Sequence, residues 1–386
     1  MRASTIGSLL LVASASALYA SGGARRTLGP SGAPAAGGGA RGGVVASAGR
    51  QLDAAVVGCG SSRPGATVSN ELLSTFLDTS DEWIAARTGI KERRVLAPGE
   101  PLGDHSAAAG ASALEMAGVD GAAVDLVIVA TSSPDDMFGD ATAVAAACGC
   151  SKAVAFDVTA ACSGFLFALV TAGQFLDTGS YETALVVGAD ALSRWVDWDD
   201  RNACILFGDG AGAVVLRRGG GPGVDVGGPG ILGFAMRSDG AGRSKLACNY
   251  NGKAKRLGDT DVSVTDGAYD TMTMQGKAVY VFATREVPAI LEEALDNAGI
   301  TIDDVDWLLL HQANIRIMQS VAERFGVPMD RVLTNLDECG NTSAGSIPLA
   351  LDAAVRQGKL KHGDVVACAG FGAGLSWGAA VFKWAG

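Results

Sequence analysis

The sequence is short of the residues that several functions need. Its 386 residues hold three histidines, and 30 lysines and arginines against 41 aspartates and glutamates. A formal charge of −11 offers no basic field for a polyanion, which argues against nucleic acid as a partner. His105, His311 and His362 are too few and too dispersed for a histidine-built metal centre. Cys148-Gly-Cys150 has no histidine near it, so no metal is expected. The eight cysteines (Cys59, Cys148, Cys150, Cys162, Cys204, Cys248, Cys339, Cys368) are scattered among apolar and small residues. They lack the spacing of a disulfide framework and read as reduced thiols, which points away from secretion. Long apolar runs are missing too. Ile6–Ala20 is the main one, and it is too short to span a bilayer comfortably.

The first 52 residues contain no Asp or Glu, but they do contain Arg2, Arg25, Arg26, Arg41 and Arg50 among Gly, Ala and Ser. Without those five arginines, 25 basic residues face 41 acidic ones, so the remaining body carries −16. Small residues at Ala13–Ala17 suit a signal-type cleavage site, and the acid-free, Arg-bearing stretch behind them is transit-like. Residues 1–50 are therefore expected to be a bipartite leader directing the protein to a plastid stroma. The plainer alternative is a secretory signal with a low-complexity linker. No membrane span is expected in the mature protein.

What the body has in quantity is glycine, 54 residues in the whole chain, about twice the usual ~7% share. Apolar runs alternate with Ala-rich helical windows, indicating α/β architecture. Two distant windows match: ALEMAGVDGAAVD at 113–125 before LVIVAT, and ALDNAGITIDDVD at 294–306 before WLLLHQ, at an offset of 181. Each reads as a helix end closed by Gly118 or Gly299, a loop and a buried strand. The same offset carries Gly164 to Gly345, inside GNTSAGSIPLALDAAV. A duplicated α/β unit is expected, its halves at 51–225 and 226–386, with helices stacked between two sheets.

The repeat locates the chemistry. In VTAACSGFLFALV, Cys162 sits where an apolar strand hands over to a buried helix, and a helix N-terminus favours its thiolate. Alone, such a cysteine reads first as a buried structural residue; its partners downstream overturn that reading. His311 ends the strand Trp307–Leu310, whereas His105 and His362 fall in turn-like, exposed contexts. Asn341 lies just before the helix that mirrors the Cys162 helix. Gly370, Gly372 and Gly374 around Ala373 allow unusual backbone angles, through which amides can point into a cavity. Upstream, Thr79 or Ser80 can cap a helix on which Trp83 and Arg87 share a face. That pair is either packing and solvation or a seat for a nucleotide base and phosphates.

TAACSGF, HQANIR, GNTSAGS and GFGAGLSWG, in that order, with TSDEWIAARTGI before them and FGDGAGAVVL between, resemble 3-oxoacyl-[acyl-carrier-protein] synthase III. This family initiates type II fatty-acid synthesis and belongs to the thiolase superfamily. The resemblance covers about residues 52–386 and implies a five-layered αβαβα thiolase-like fold. It implies Cys162 as acyl acceptor, His311 and Asn341 as its partners, and an oxyanion hole from the amides of Cys162 and Ala373. Trp83 and Arg201 would bracket the adenine of coenzyme A, with Thr79 and Arg87 nearby. Gln312, Ala313, Asn314, Ile315 and Arg316 match the carrier-docking segment, and Phe138 matches a residue that crosses a homodimer to wall the primer pocket. Acetyl-CoA and malonyl-acyl-carrier protein are implied as substrates, with no permanently bound cofactor. Two departures stand out. Val281 occupies a position that is often basic in the family, with Lys277 and Arg285 close by in sequence as substitutes, and Ala373 replaces a common Gly. Competing readings are a chalcone-like type III polyketide synthase using malonyl-CoA, a papain-like hydrolase, and a non-catalytic thiolase-fold binding protein.

Overall fold

The computed structural model describes residues 51–221 and 230–386. The expected leader and the 225/226 boundary between halves lie outside these residues. The described residues belong to one compact unit.

Five apolar segments of the first half form a sheet: β1 (Ala55–Ser62), β2 (Leu126–Ala130), β3 (Val154–Val158), β4 (Thr183–Ala191) and β5 (Asp209–Arg217). Five of the second half do the same: β6 (Ile231–Ser238), β7 (Trp307–Leu310), β8 (Val332–Leu333), β9 (Val365–Gly372) and β10 (Ser376–Lys383). The strand orders are β1-β5-β4-β2-β3 and β6-β10-β9-β7-β8. Each second-half strand thus stands where its first-half counterpart does. The senses agree as well: the first two pairings in each order are antiparallel and the last two parallel.

The helices that position the site are α1 (Asp81–Thr88), α2 (Leu102–Ala117), α3 (Ala141–Ala147), α4 (Gly164–Asp177), α5 (Gly276–Ala298), α6 (Ile315–Arg324) and α7 (Ser346–Arg356). Alternation along the strands sorts them into layers, because successive side chains leave opposite faces of a sheet. Leu126, Ile128 and Ala130 of β2 turn inward with Leu309 of β7 and Cys368 of β9, enclosing α4 and α7. Val127 and Val129 turn outward against α2 and α3. Leu308 and Leu310 turn outward against α5 and α6. The layers therefore run helix, sheet, helix pair, sheet, helix, as expected. α4 is apolar on nearly every face, as its place between two sheets requires.

The duplication shifts by one residue along the chain. Gly118 and Gly299, 181 apart, both close helices in the left-handed conformation, at φ 61° and 71°. Beyond the third strand the offset becomes 182: Ala161 and Ser343 both have positive φ, 49° and 50°. Gly164 and Ser346, also 182 apart, open α4 and α7. Gly164 therefore corresponds to Ser346, not to Gly345. Among the described residues no helix is long and apolar enough to cross a membrane.

Candidate active site

The edge strand β3 ends at Val158, and the chain then makes a tight turn through Ala161–Ser163 into α4. Positive φ at Ala161 kinks the backbone so that Cys162 stands at the head of the buried helix, 6% exposed. The mirrored turn of the second half supplies Ser343, whose Oγ donates to Cys162 Sγ at 3.2 Å. Burial pushes the thiol up to about 12, against the opposing pull of the Ser343 hydroxyl. The expected preference for thiolate at a helix N-terminus is therefore overridden at rest, because desolvation penalises the charge more than the dipole favours it.

His311 follows β7, is 3% exposed, and packs edge-on against Phe371 with centroids 5.4 Å apart. Its Nδ1 lies 2.7 Å from Ser346 Oγ. That oxygen also accepts from the Gln312 amide at 3.4 Å, so the serine proton is free to point at Nδ1. With the hydroxyl donating to Nδ1, the imidazole proton is on Nε2. Burial alone lowers the histidine to about 3, which keeps the ring neutral.

Asn341 is held at both ends of its peptide unit: its amide donates to Leu206 O at 2.8 Å and its carbonyl accepts from Gly208 N at 3.0 Å. Its side-chain Oδ1 accepts from Ser343 N at 2.9 Å. With the oxygen engaged, Nδ2 is the side-chain atom left to donate.

Cys162, His311 and Asn341 line one cavity of about 250 Å³, together with Phe371 and Gly372. A Cβ on Gly372 would lie 2.6 Å from Cys162 N. The glycine is needed here for close approach to the nucleophile's amide, not for an unusual backbone angle; among the three tail glycines only Gly374 has positive φ, 129°. Ala373 follows at the turn, where its carbonyl accepts from Ser376 Oγ at 3.1 Å.

Trp83 and Arg87, on α1, also line this cavity. Ser80, not Thr79, caps the helix, accepting from Trp83 N at 3.2 Å. The Arg87 guanidinium lies 4.2 Å from the Trp83 ring centroid and that of Arg201 5.3 Å away. Arg201 is anchored by Asp78, through its carboxylate at 3.3 Å and its carbonyl. Thr79 Oγ1, beside Asp78, is enclosed without a partner. Trp83 thus presents a ring with two cations over it at the cavity rim.

The segment expected to dock a carrier divides in two. Gln312 is fully buried, its amide bonded to Leu310 O at 2.5 Å and its Oε1 accepting from Thr334 Oγ1 at 2.9 Å, so it faces inward and braces the turn after β7. Ala313 is buried and lines the cavity with Asn314, which caps α6 by accepting from Arg316 N at 2.8 Å. Ile315 is half-buried, and Arg316 is exposed, with Nη2 on Ala86 O of α1 at 2.8 Å. Next to the cavity a groove of about 600 Å³ is lined by Lys245, Lys277, Val281 and Arg285. Phe138 is 95% exposed on a loop before α3. His105 is not in an exposed turn: it lies in α2, between Ser62 Oγ at 2.7 Å and Glu100 Oε1 at 2.9 Å. Reading motifs by their reactive residue missed Ser343 and Ser346, although both stand in GNTSAGS.

The family model for 3-oxoacyl-[acyl-carrier-protein (ACP)] synthase III matches residues 156–240, and the model of its C-terminal part matches residues 295–384. The chain is 52% identical over 335 residues to beta-ketoacyl-[acyl-carrier-protein] synthase III of Nostoc sp., covering 87% of this chain and 99% of the relative. It is 54% identical over 331 residues to the enzyme of that name from Synechococcus elongatus, covering 86% and 96%. The crystal structure of 3-oxoacyl-[acyl-carrier-protein] synthase III from Aquifex aeolicus VF5 superposes with a TM-score of 0.77 at 36% identity, covering 86% of this chain and all of that one.

Proposed function

The chain belongs to the 3-oxoacyl-[acyl-carrier-protein] synthase III family, and from that premise we propose that Cys162, His311 and Asn341 carry out its condensation. The protein is an acyltransferase that initiates fatty-acid synthesis, joining an acetyl group from acetyl-CoA to malonyl-acyl-carrier protein. The observation that carries the residue assignment is the shared cavity, in which the hydrogen-bond partners of His311 and Asn341 leave Nε2–H and Nδ2–H as donors.

In the first half-reaction Cys162 sulfur attacks the thioester carbon of acetyl-CoA. The amides of Cys162 and Ala373 hold the oxyanion, each such donor being worth roughly 3–4 kcal/mol in a water-poor site. CoA departs and acetyl-Cys162 remains. In the second, malonyl-carrier protein loses CO₂ while its thioester oxygen gathers negative charge. Two neutral donors suit that oxygen better than an imidazolium, which would become a strong acid beside a nascent carbanion. The neutral state of His311 follows from its burial, and Asn341 does not titrate. The carbanion attacks acetyl-Cys162 and gives acetoacetyl-carrier protein.

Trp83 with Arg87 and Arg201 serves the adenine and phosphates of coenzyme A, with Thr79 adjoining. The carrier docks against Arg316 and, in place of a cation at Val281, against Lys245, Lys277 and Arg285 along the neighbouring groove. A homodimer is supported by Phe138 and Met137, which project 95% and 87% exposed, and by the free edge of β3, where Val154 is 50% exposed. Location in a plastid is supported by the cyanobacterial sources of the relatives and by the acid-free leader.

The test is intact-protein and peptide mass spectrometry with acetyl-CoA, followed by addition of malonyl-carrier protein. An acetyl adduct on Cys162 that is discharged as acetoacetyl-carrier protein supports the reading. Turnover of malonyl-CoA without carrier, yielding repeated extension, would replace it with the polyketide synthase alternative.

A further inference from the structure

The condensation needs the Cys162 sulfur to carry a negative charge twice in each cycle. It does so when the sulfur attacks the acyl thioester, and again when the carbanion displaces it from the acetyl group. Both events occur in the interior, where an unsupported sulfur anion is costly. Burial pushes the thiol up, and the carboxylate of Asp190, wholly buried near the end of β4, pushes it the same way. Asp190 has donors of its own. Its Oδ1 accepts from Ser132 N at 2.7 Å, Ser133 Oγ at 2.8 Å and Thr131 Oγ1 at 3.3 Å, all in the 131–133 turn, and its Oδ2 from Ala344 N at 3.2 Å. Of the titratable groups lining the cavity, His311 is kept neutral by burial, Arg87 is held over Trp83 at the rim, and Tyr280 is exposed.

What lies against the sulfur is a dipole from the opposite half. Ser343 is 1% exposed, and its Oγ donates to Cys162 Sγ at 3.2 Å. The chain holds this hydroxyl in place against its own backbone preference. Ser343 has φ 50°, a left-handed conformation that glycine adopts freely and serine does not. Strain of this kind persists where the surroundings over-determine it. Here Ser343 N donates to Asn341 Oδ1 at 2.9 Å and pins the turn. The mirrored turn puts Ala161, with φ 49° and no hydroxyl, at the equivalent place. One residue thus touches two parts of the chemistry: its amide orients the Asn341 carboxamide, and its hydroxyl reaches across to the nucleophile. A hydrogen bond to an ionised partner is roughly twice as strong as one between neutral groups. This one therefore favours the thiolate over both the resting thiol and the acetyl thioester.

We propose that Ser343 is a catalytic residue, its hydroxyl donating a hydrogen bond to Cys162 Sγ whenever the sulfur carries the negative charge. The inference rests on the reading of Cys162 as the acyl acceptor. In loading, the S–H proton leaves to solvent water through the cavity and a sulfur lone pair forms the S–C bond. The bond between the acetyl carbon and the CoA sulfur breaks with its electron pair on CoA, which takes a proton from water. In condensation the carbanion forms the C–C bond, and the acetyl C–S bond breaks with its pair on Sγ. The sulfur departs as a thiolate against the Ser343 hydroxyl and is then reprotonated from water. Ser343 keeps its own proton throughout; it supplies a hydrogen bond and transfers nothing.

The experiment reads the sulfur itself. Alkylation of Cys162 by iodoacetamide is timed between pH 7 and 10 by peptide mass spectrometry in the wild type, Ser343→Ala and Ser343→Gly. Alanine keeps a φ that Ala161 already adopts, and glycine relieves it, so the two variants share only the loss of the hydroxyl. Losing a hydrogen bond to a charged group cuts the thiolate fraction by about 10- to 100-fold. The greater nucleophilicity of a less stabilised thiolate returns about half of that on a logarithmic scale. Both variants should therefore alkylate about three- to tenfold more slowly at each pH. Acetyl loading from acetyl-CoA, followed by rapid quench, should slow in parallel. Alkylation at the wild-type rate or faster in both variants overturns the proposal. Slowing in Ser343→Ala alone also overturns it, because the effect then belongs to the backbone and not to the hydroxyl. Failure of wild-type Cys162 to take an acetyl group, with the alkylation difference intact, would instead overturn the functional reading beneath it.

Discussion

Ser346 Oγ stands 2.7 Å from His311 Nδ1, and a hydroxyl proton aimed at that nitrogen leaves the imidazole proton on Nε2. The serine opens α7, the second half's counterpart of the helix that begins behind Cys162. A feature of the duplicated scaffold has thus been turned into a tautomer lock. Replacing Ser346 with Ala removes a buried hydrogen bond of about 1–1.5 kcal/mol, which predicts about a tenfold loss of malonyl-carrier decarboxylation. Acetyl loading onto Cys162 should hardly change. Steady-state release of CO₂ against burst formation of acetyl-enzyme separates the two.

Burial also makes a prediction about pH. His311 is lowered to about 3 in the folded chain, whereas an exposed histidine titrates near ~6.5. The unfolded chain therefore binds a proton that the folded one refuses as pH falls from that value toward 3. Stability should decrease with acidification in this window by on the order of 1.4 kcal/mol per pH unit from this group. Above it the contribution is flat. Denaturant unfolding of wild type and His311→Ala between pH 7 and 4 checks the sign: the wild type should lose more. Decarboxylation should not show a histidine inflection near neutrality.

Gly372→Ala places a Cβ where Cys162 N already lies, at 2.6 Å. Overpacking of this kind costs about 1–3 kcal/mol, so the fold should survive with a lower Tm. The oxyanion donor beside it is displaced, and loss of one such donor predicts a fall in acetyl transfer of about 10²–10³-fold. Comparing kcat for acetyl loading with the thermal melt shows whether the damage is local.

Arg316 is the exposed end of a segment whose first residue, Gln312, is fully buried. Arg316→Glu should raise KM for malonyl-carrier protein and reduce its dependence on salt, since an attraction between opposite charges is replaced by repulsion. KM for acetyl-CoA should stay within about twofold, as rim charges act mainly on the partner they face. Equal effects on both substrates would remove Arg316 from the docking surface.

Much of this architecture was legible because it depends on local periodicity. The paired windows around Gly118 and Gly299 announce the duplication, and the unbroken apolar runs LVIVA and WLLL place both strands inside the protein. The aromatic-cation face of Trp83 and Arg87 follows from a spacing of one helical turn. What local pattern does not carry is which groups meet across the halves. Ser343 reaches Cys162 only where the mirrored turns of the two halves meet, a contact between distant segments that no local pattern shows. Asp190 sits in a strand that reads as apolar, and only the fold brings the 131–133 turn and Ala344 around it. His105 looks exposed until α2 lays it between Ser62 and Glu100. The thiolate preference at Cys162 failed for an energetic reason: a dipole argument ignores how deeply the sulfur is buried.

The most direct test of the account asks whether the cavity divides its labour. Labelled acetyl-CoA is mixed with Cys162→Ala, His311→Ala and Asn341→Ala, and both acetyl bound to protein and CO₂ from malonyl-carrier protein are counted. The account predicts no bound acetyl but measurable CO₂ from Cys162→Ala, and bound acetyl without CO₂ from His311→Ala and Asn341→Ala. Bound acetyl on Cys162→Ala, or undiminished CO₂ from the other two, would contradict it.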